Sequence, residues 1–167
     1  MNLFSIRTFF ALGFAACAAG MAFALYLEHF QGLEPCPMCV FQRVAMIAAG
    51  LVFLAGVAHG PKAAGRWVYA GLAATATGAG AVIAGRHVWL QNLPPDQVPA
   101  CGPGLNYLLE SFPFMEVLNL VLRGDGNCAR IDAAWLGVSL PAWTMIAFIG
   151  LTLFALACPV IARKESL

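Results

Sequence analysis

Two cysteines separated by two residues, Cys36 and Cys39, form the most reactive pattern in this sequence of 167 residues. They lie in the stretch EPCPMCVFQR, residues 34–43. Pro37, between them, has the fixed φ and the missing N–H donor that suit a first helical turn. At a helix N-terminus residues i and i+3 share a face, and the exposed backbone N–H groups favour a thiolate. The pattern is typical of a thiol pair that cycles between dithiol and disulfide.

The four other cysteines fall into two groups. Cys101 and Cys128 lie in a long segment between apolar runs, and a disulfide that closes such a loop is worth about 3 to 4 kcal/mol by the chain-entropy estimate. Cys17 and Cys158 lie within apolar runs, where a thiol behaves as a small, unreactive hydrophobic group. We therefore expect chemistry at four cysteines and only packing at these last two.

The elements that would position the reactive thiols are long apolar runs. Hydrophobic residues make up 61% of the chain and charged residues only 10%, far from the balance of a soluble protein. A helix needs about 20 residues, at about 1.5 Å each, to cross a hydrocarbon core. Four runs meet this length, at about residues 8–27, 39–58, 67–85 and 142–161. We expect an all-α membrane protein in which residues 1–167 form a single four-transmembrane-helix bundle.

The positive residues indicate which side of the membrane each loop faces. The short connection 59–66 and the two termini hold five of the nine Lys and Arg residues, namely Arg7, Lys62, Arg66, Arg163 and Lys164. Because such residues mark the cytoplasmic side, we expect both termini in the cytoplasm. Loops 28–38 and 86–141 would then lie on the other side of the membrane; if that side is a bacterial periplasm, it is an oxidising compartment in which disulfides persist.

The first apolar run has a second interpretation. Arg7, the run itself and the triplet Ala22-Phe23-Ala24 are similar to a secretory signal with an Ala-x-Ala cleavage site. Cleavage there would leave three membrane spans and would move one terminus across the membrane.

Three interpretations of the four reactive cysteines remain open: redox cycling, two static disulfides, and a structural Cys₄ zinc site. Only Cys36 and Cys39 have the two-residue spacing of a zinc knuckle. Arg43 favours redox cycling, because it follows Cys39 by four residues and so shares its helix face near the membrane boundary. A charge at membrane depth is costly, which makes Arg43 a functional candidate.

The motifs taken together resemble a known family. They are CPMCVFQR, then GRHVWLQ, then Cys101, and finally GNCARIDAAWLGVSLPAW before the last apolar run, with tryptophans at Trp135 and Trp143. Over nearly the whole chain they resemble the disulfide bond formation protein B (DsbB) family of bacterial inner-membrane thiol:quinone oxidoreductases. The most specific elements are the C-x-x-C pair with an Arg four residues later, the paired loop cysteines and the tryptophan motifs.

The resemblance implies a role for each reactive cysteine. Cys101 and Cys128 would form the disulfide presented to DsbA, the periplasmic thiol oxidase, whose thiolate would attack Cys101. Cys128 would then pass the reducing equivalents to Cys36. Cys39 would stand against the ring of a membrane quinone, either ubiquinone or menaquinone.

The resemblance also implies two quinone-binding residues and no metal ligand. Arg43 would hold the Cys39 thiolate and a quinone oxygen electrostatically. His87 matches the family's quinone-side histidine, although a lone His at a helix end is more often an interfacial residue.

The sequence departs from the family at modest points. The dipeptide within the C-x-x-C motif is Pro-Met, and this dipeptide helps to set the redox poise. Gln42 occupies a position that can be acidic in the family, which affects the field at Arg43. Residues 105–122 are rich in apolar side chains and are interrupted by Pro113, which predicts a short amphipathic helix in the outer headgroup plane.

The resemblance implies an oxidoreductase that reoxidises DsbA and passes the electrons to a quinone, supporting protein disulfide bond formation. A vitamin K epoxide reductase-like enzyme is one alternative, but its C-x-x-C motif lies nearer the C-terminal half. The other alternative is a non-enzymatic membrane scaffold with structural disulfides or zinc. The net charge is +1 with no run of like charges, so no nucleic-acid partner is expected.

Overall fold

The computed structural model describes residues 5–62, 64–131 and 133–164, with only the backbone of Arg163 and Lys164. The predicted cytoplasmic tails include residues 1–4 and 165–167, which lie outside the described residues. The described elements, in chain order, are α1 Ile6–Gln31, α2 Pro37–His59, α3 Ala64–Gln91, α4 Leu105–Ser111, α5 Phe114–Arg123, α6 Gly126–Ala129, β1 Ala134–Trp135, β2 Val138–Ser139 and α7 Leu140–Lys164.

Four helices of the described chain, α1, α2, α3 and α7, are long and apolar enough to cross a membrane. Their most apolar segments have mean hydropathies between 1.4 and 2.4. Large apolar side chains such as Leu51, Val82 and Leu153 are exposed on the outside of the bundle, as lipid contact requires. The predicted all-α, four-helix membrane fold is therefore confirmed. Helices α1 and α3 run to Gln31 and Gln91, beyond the predicted spans.

The bundle is held together by close contacts between small and aromatic residues. Helix α3 packs against both α2 and α7, and α1 packs against α2 and less extensively against α7. A Cβ atom added at Gly80 of α3 would stand 2.4 Å from the ring of Phe148 on α7, so only glycine fits there. The hydroxyl of Thr152 donates to that of Thr77 at 2.8 Å across the same interface. Such contacts replace the hydrophobic effect, which does not drive helix association within lipid.

The segment after α3 forms a cap at one end of the bundle. The predicted short amphipathic helix occurs here as two helices, α4 and α5, because Pro113 takes the N-cap position of α5. Val117 and Val121, one turn apart on α5, are buried between the cap and the bundle. A second buried cluster therefore joins the cap to the ends of α2 and α3, and it comprises Met38, Leu90, Leu108, Val117, Val121 and Cys128.

A cation on α3 fixes the cap's position. The Arg86 guanidinium donates from Nε to the carbonyl of Leu122 at 3.2 Å and from Nη2 to the carbonyl of Arg123 at 2.9 Å. These carbonyls belong to the last turn of α5, where a cation satisfies otherwise unpaired acceptors. The same guanidinium lies 3.9 Å from the centre of the Trp89 ring. The turn that leads into α6 and Cys128 is thereby tied to the end of α3.

Candidate functional site

The two cysteines of the C-x-x-C motif lie at the N-terminus of α2. Cys36 is the N-cap residue with extended backbone, and Pro37 occupies the first helical position. The Cys39 backbone N–H donates to Cys36 Sγ at 3.4 Å, and the two Sγ atoms are 3.1 Å apart. Both side chains are half-buried, and all six cysteines of the chain lie among the described residues as free thiols. The pair has the placement expected for exchange between dithiol and disulfide.

A buried histidine from α3 faces Cys36. The Nε2 atom of His87 lies 3.8 Å from Cys36 Sγ. On the other side of the ring, Gln42 Nε2 donates to His87 Nδ1 at 3.3 Å. Both Gln42 and His87 are buried, with exposed fractions of 5% and 3%. Because the amide occupies Nδ1, the imidazole directs its other nitrogen to the sulfur.

Cys128 reaches Cys36 from the cap. The side chain of Asp125 caps the short helix α6 by accepting from the Cys128 backbone N–H at 3.1 Å. This turn places the buried Cys128 Sγ within 4.8 Å of Cys36 Sγ and of a ring nitrogen of His87. The hydrogen bond with Cys36, and then burial, raise the pKa of the Cys128 thiol. Cys128 therefore keeps its proton at neutral pH and lies next to its predicted exchange partner.

Cys101 lies outside this cluster and is exposed. Its segment packs on the turn before Cys128, since a Cβ atom added at Gly126 would stand 2.9 Å from Cys101 Sγ. The backbone N–H of Gly126 also donates to the carbonyl of Ala100 at 3.2 Å. Of the four predicted reactive cysteines, the structure thus brings together Cys36, Cys39 and Cys128 and leaves Cys101 accessible at the surface. The four sulfurs that a Cys₄ zinc site requires are not brought together.

The predicted cationic residue is paired with an acid on the neighbouring helix. Arg43 of α2 forms a salt bridge with Glu28 of α1, and the exposed fractions of the two side chains are 19% and 32%. The Arg43 Nη2 atom also donates to the carbonyl of Ala24 at 3.3 Å. The charge near the membrane boundary is therefore partly compensated, as a cation there requires. The Arg43 guanidinium also lines a cavity beside the C-x-x-C motif, to which it can present positive charge.

Residues of helices α1, α2, α3 and α7 and of the segments that connect them line a half-open cavity of about 350 Å³ beside the C-x-x-C motif. Cys36, Cys39, Arg43 and His87 all line it, so the predicted residues of α2 and α3 face one space. The remaining wall is mostly apolar and includes Met21, Phe23, Leu27, Met46, Trp143, Ala147 and Phe148. An apolar cavity of this volume with a few polar groups at one edge is typical of a site for a small molecule.

Some residues of the site have no counterpart in the sequence-based prediction. Glu28 was not predicted as the partner of Arg43, although an intramembrane Arg commonly requires one. Gln91 also lines the cavity, and its Oε1 atom is buried and accepts no hydrogen bond from any described residue. Gln42 was identified only as a departure from the family, and its contact with His87 depends on the packing of α2 against α3.

Comparison with known proteins identifies close relatives over the full fold. The family profile "Disulfide bond formation protein DsbB" matches residues 6–158. Proteins named "Disulfide bond formation protein B" are similar to this chain in Hahella chejuensis (55% identical, covering 87% of this chain and 88% of the relative) and in Methylococcus capsulatus (50% identical, covering 93% and 95%). A third, in Xanthomonas oryzae pv. oryzae, is 48% identical over 100% of this chain and 99% of the relative.

Proposed function

The chain belongs to the disulfide bond formation protein B family, and from this premise we propose that it reoxidises a DsbA-like thiol oxidase at the expense of a membrane quinone. Membership makes it a multi-pass membrane protein of disulfide bond formation with oxidoreductase chemistry. The observation that best supports the finer proposal is the position of Cys36, between Cys39 at 3.1 Å and Cys128 within 4.8 Å.

The proposed thiol chemistry consists of exchanges in which one S–S bond replaces another. A DsbA thiolate attacks Cys101 of a Cys101–Cys128 disulfide, forming a mixed disulfide and releasing Cys128. The second DsbA thiol then releases Cys101 and leaves DsbA oxidised. Cys128 attacks Cys36 of a Cys36–Cys39 disulfide and releases Cys39, after which Cys101 recaptures Cys128 and frees Cys36. The net result is that two electrons and two protons move from DsbA to the C-x-x-C pair.

The accessibility of the cysteines supports this order. Cys101 is exposed, so a partner protein can reach its sulfur directly. Cys128 is buried against Cys36, where a partner cannot reach it. Attack at Cys101 therefore releases Cys128, whose sulfur lies next to the C-x-x-C pair.

The residues around the cavity fit a quinone. Its wall combines a broad apolar surface for a ring and tail with the cation of Arg43. A guanidinium donor of this kind matches a carbonyl oxygen of the quinone ring. A bound quinone would supply a two-electron, two-proton acceptor, so that the Cys36–Cys39 disulfide can re-form.

The remaining polar residues would position this chemistry. Arg43, held by Glu28 and the carbonyl of Ala24, stabilises negative charge at the sulfur of Cys39, one helical turn away. His87, oriented by Gln42, stabilises negative charge at the sulfur of Cys36. Each cysteine of the pair thus has its own cationic or hydrogen-bonding neighbour.

We place the protein in the bacterial inner membrane with both termini in the cytoplasm. The concentration of Lys and Arg in the short connection between α2 and α3 and in the tails supports this orientation. Cys101 and Cys36 should then react with a membrane-impermeant maleimide added to intact spheroplasts. If these cysteines are labelled only after the inner membrane is broken, the protein has the opposite orientation, and a periplasmic DsbA could not reach Cys101.

The proposed reaction is tested by incubating the purified protein anaerobically with reduced DsbA and a soluble quinone analogue. We expect one quinol for each DsbA oxidised, as measured by quinone absorbance and by trapping of DsbA thiols. Catalytic oxidation of DsbA without quinol formation, or no oxidation at all, would contradict the proposal. The matched control is Cys17→Ser, which removes a buried thiol that does not line the cavity and should leave the stoichiometry unchanged.

A further inference from the structure

Three soft ligand atoms converge at the end of the bundle. Cys36 Sγ, a ring nitrogen of His87 and Cys128 Sγ all lie within 4.8 Å of one another, and Cys36 Sγ is 3.8 Å from His87 Nε2. In a tetrahedral zinc site, with bonds of about 2.3 Å to sulfur and about 2.0 Å to nitrogen, ligand atoms lie roughly 3.5 to 3.8 Å apart. Small side-chain rotations would therefore bring all three atoms to ligand distance from one ion.

The surroundings suit a thiophilic cation. His87 and Cys128 are buried and Cys36 is half-buried, so the ligands are shielded from competing water. Gln42 holds the Nδ1 atom of His87, the outer-shell contact that metal-ligating histidines commonly make. If the side-chain amide of Gln42 rotates by half a turn, its Oε1 atom accepts a hydrogen bond from an Nδ1–H of His87. The Nε2 atom of His87 is then free to bind an ion.

We propose that the reduced protein binds one thiophilic divalent cation, of the zinc class, through Cys36, His87 and Cys128. The three ligands come from the start of α2, from α3 and from α6, so the ion cross-links the cap to the bundle. Binding displaces the thiol protons of the two cysteines and changes no oxidation state. Cys39 is not a member of this cluster, so the chain supplies three of the four ligands that an ion of the zinc class usually takes.

The bound ion holds the protein in its reduced form. A metal-bound Cys36 sulfur cannot form the disulfide with Cys39 or with Cys128, so thiol exchange stops until the ion leaves. The site exists only while both thiols are reduced, which couples metal occupancy to redox state. Metal binding itself does not depend on the proposed electron route to a quinone, so the two proposals can fail separately.

Cadmium is the probe, because cadmium–thiolate bonds absorb in the ultraviolet. The full-length protein is reduced, freed of reductant under nitrogen and titrated with CdCl₂. We expect saturation at one ion per chain. Cys101→Ser should bind equally well, whereas Cys36→Ser, Cys128→Ser and His87→Gln should each weaken binding by about tenfold or more. Protein with both predicted disulfides formed should bind no ion.

Two results would overturn the proposal. Wild-type affinity in Cys128→Ser would place the ion on the C-x-x-C pair alone, and equal binding by the oxidised protein would place it away from these thiols. Circular dichroism checks the fold of each variant. If a variant does not fold, alkylation of the wild-type protein decides: cadmium should protect Cys36 and Cys128 while Cys101 still reacts, and unprotected Cys128 would refute the site.

Discussion

The Sγ atom of Cys128 lies within 4.8 Å of the Sγ atom of Cys36, although the two cysteines belong to different connections of the bundle. Cys101, the predicted disulfide partner of Cys128, is instead exposed at the surface. With all thiols free, Cys128 thus lies next to Cys36, as the proposed exchange between the loop cysteines and the C-x-x-C pair requires. The two reactive sulfurs of the second loop occupy very different environments, and this difference can be measured.

In the reduced protein at pH 7, iodoacetamide should alkylate Cys101 at least about tenfold faster than Cys128. Cys128 is buried, and its hydrogen bond with Cys36 raises the pKa of its thiol. Because only the thiolate reacts, the alkylation rate of Cys128 should keep rising above the ordinary cysteine pKa of about 8.5. Peptide mass spectrometry across a pH series measures both rates.

The control for this prediction is Cys36→Ala, which removes the sulfur that hydrogen-bonds with Cys128 and keeps Cys128 buried. The pH profile of Cys128 alkylation should then move to lower pH. An unchanged profile would mean that burial alone protects this thiol, and equal rates at Cys101 and Cys128 in the wild-type protein would contradict the structure.

Cys39→Ser should abolish quinone reduction while leaving Cys101 able to capture DsbA. Cys39 lines the cavity, whereas the exposed Cys101 does not. Non-reducing gels would show the mixed disulfide with DsbA, and quinone absorbance would show no turnover. Normal turnover in this variant would remove Cys39 from the electron route.

Arg43→Ala should raise the apparent KM for a soluble quinone analogue by about tenfold or more, because it removes a charged hydrogen-bond donor from the cavity wall. The rate at which Cys101 captures DsbA should not change. Arg43→Lys is the matched control, since it retains the charge but loses the planar fork that reaches both Glu28 and Ala24. The KM of Arg43→Lys should be intermediate. If Arg43→Ala loses quinone reduction and DsbA capture equally, Arg43 only anchors the helix.

His87→Gln should slow the exchange between Cys128 and Cys36 by about tenfold, the equivalent of one hydrogen bond of about 1.4 kcal/mol. The imidazole faces Cys36 Sγ at 3.8 Å, and glutamine keeps a polar group of similar reach. Stopped-flow mixing with reduced DsbA, followed by acid quenching and thiol mapping, measures the step. Gln42→Leu should produce a smaller effect in the same direction, because the ring is kept but loses its orienting partner. If the rate of exchange between Cys128 and Cys36 is unchanged in His87→Gln, His87 is only an interfacial residue.

Much of the fold could be predicted because each membrane helix is a local pattern. Apolar runs of sufficient length predicted α1, α2, α3 and α7, and Pro37 predicted the start of α2. The four-residue spacing of Cys39 and Arg43 predicted that both would face one space, as they do. These features depend on residues close in sequence.

The rest depends on tertiary packing that one sequence does not encode locally. The pairing of Arg43 with Glu28 requires the relative rotation of α1 and α2. The approach of Cys128 to Cys36 requires that Arg86 hold the end of α5 and that Asp125 cap α6. The predicted amphipathic helix is divided because Pro113 becomes the N-cap of α5, whereas a proline within a helical pattern can also produce only a kink.

Close helix contact in the core gives a final prediction, on stability. Gly80→Ala should lower the melting temperature in detergent, because its Cβ would stand 2.4 Å from Cε1 and 2.5 Å from Cζ of Phe148. Overpacking of this kind costs about 1 to 3 kcal/mol, since α3 and α7 must separate or the ring must leave its rotamer.

Gly78→Ala, two residues away on the same helix, is the matched control, because a Cβ atom there has no described atom within 4 Å. Helix propensity favours alanine by about 1 kcal/mol in water at both positions, so the difference between the variants isolates the contact with Phe148. Differential scanning fluorimetry should therefore rank Gly80→Ala below the wild-type protein and Gly78→Ala at or above it. Equal melting temperatures for the two variants would show that α3 and α7 are not in close contact at Phe148. Restoration of stability by Phe148→Leu in the Gly80→Ala background would show that the ring itself causes the loss.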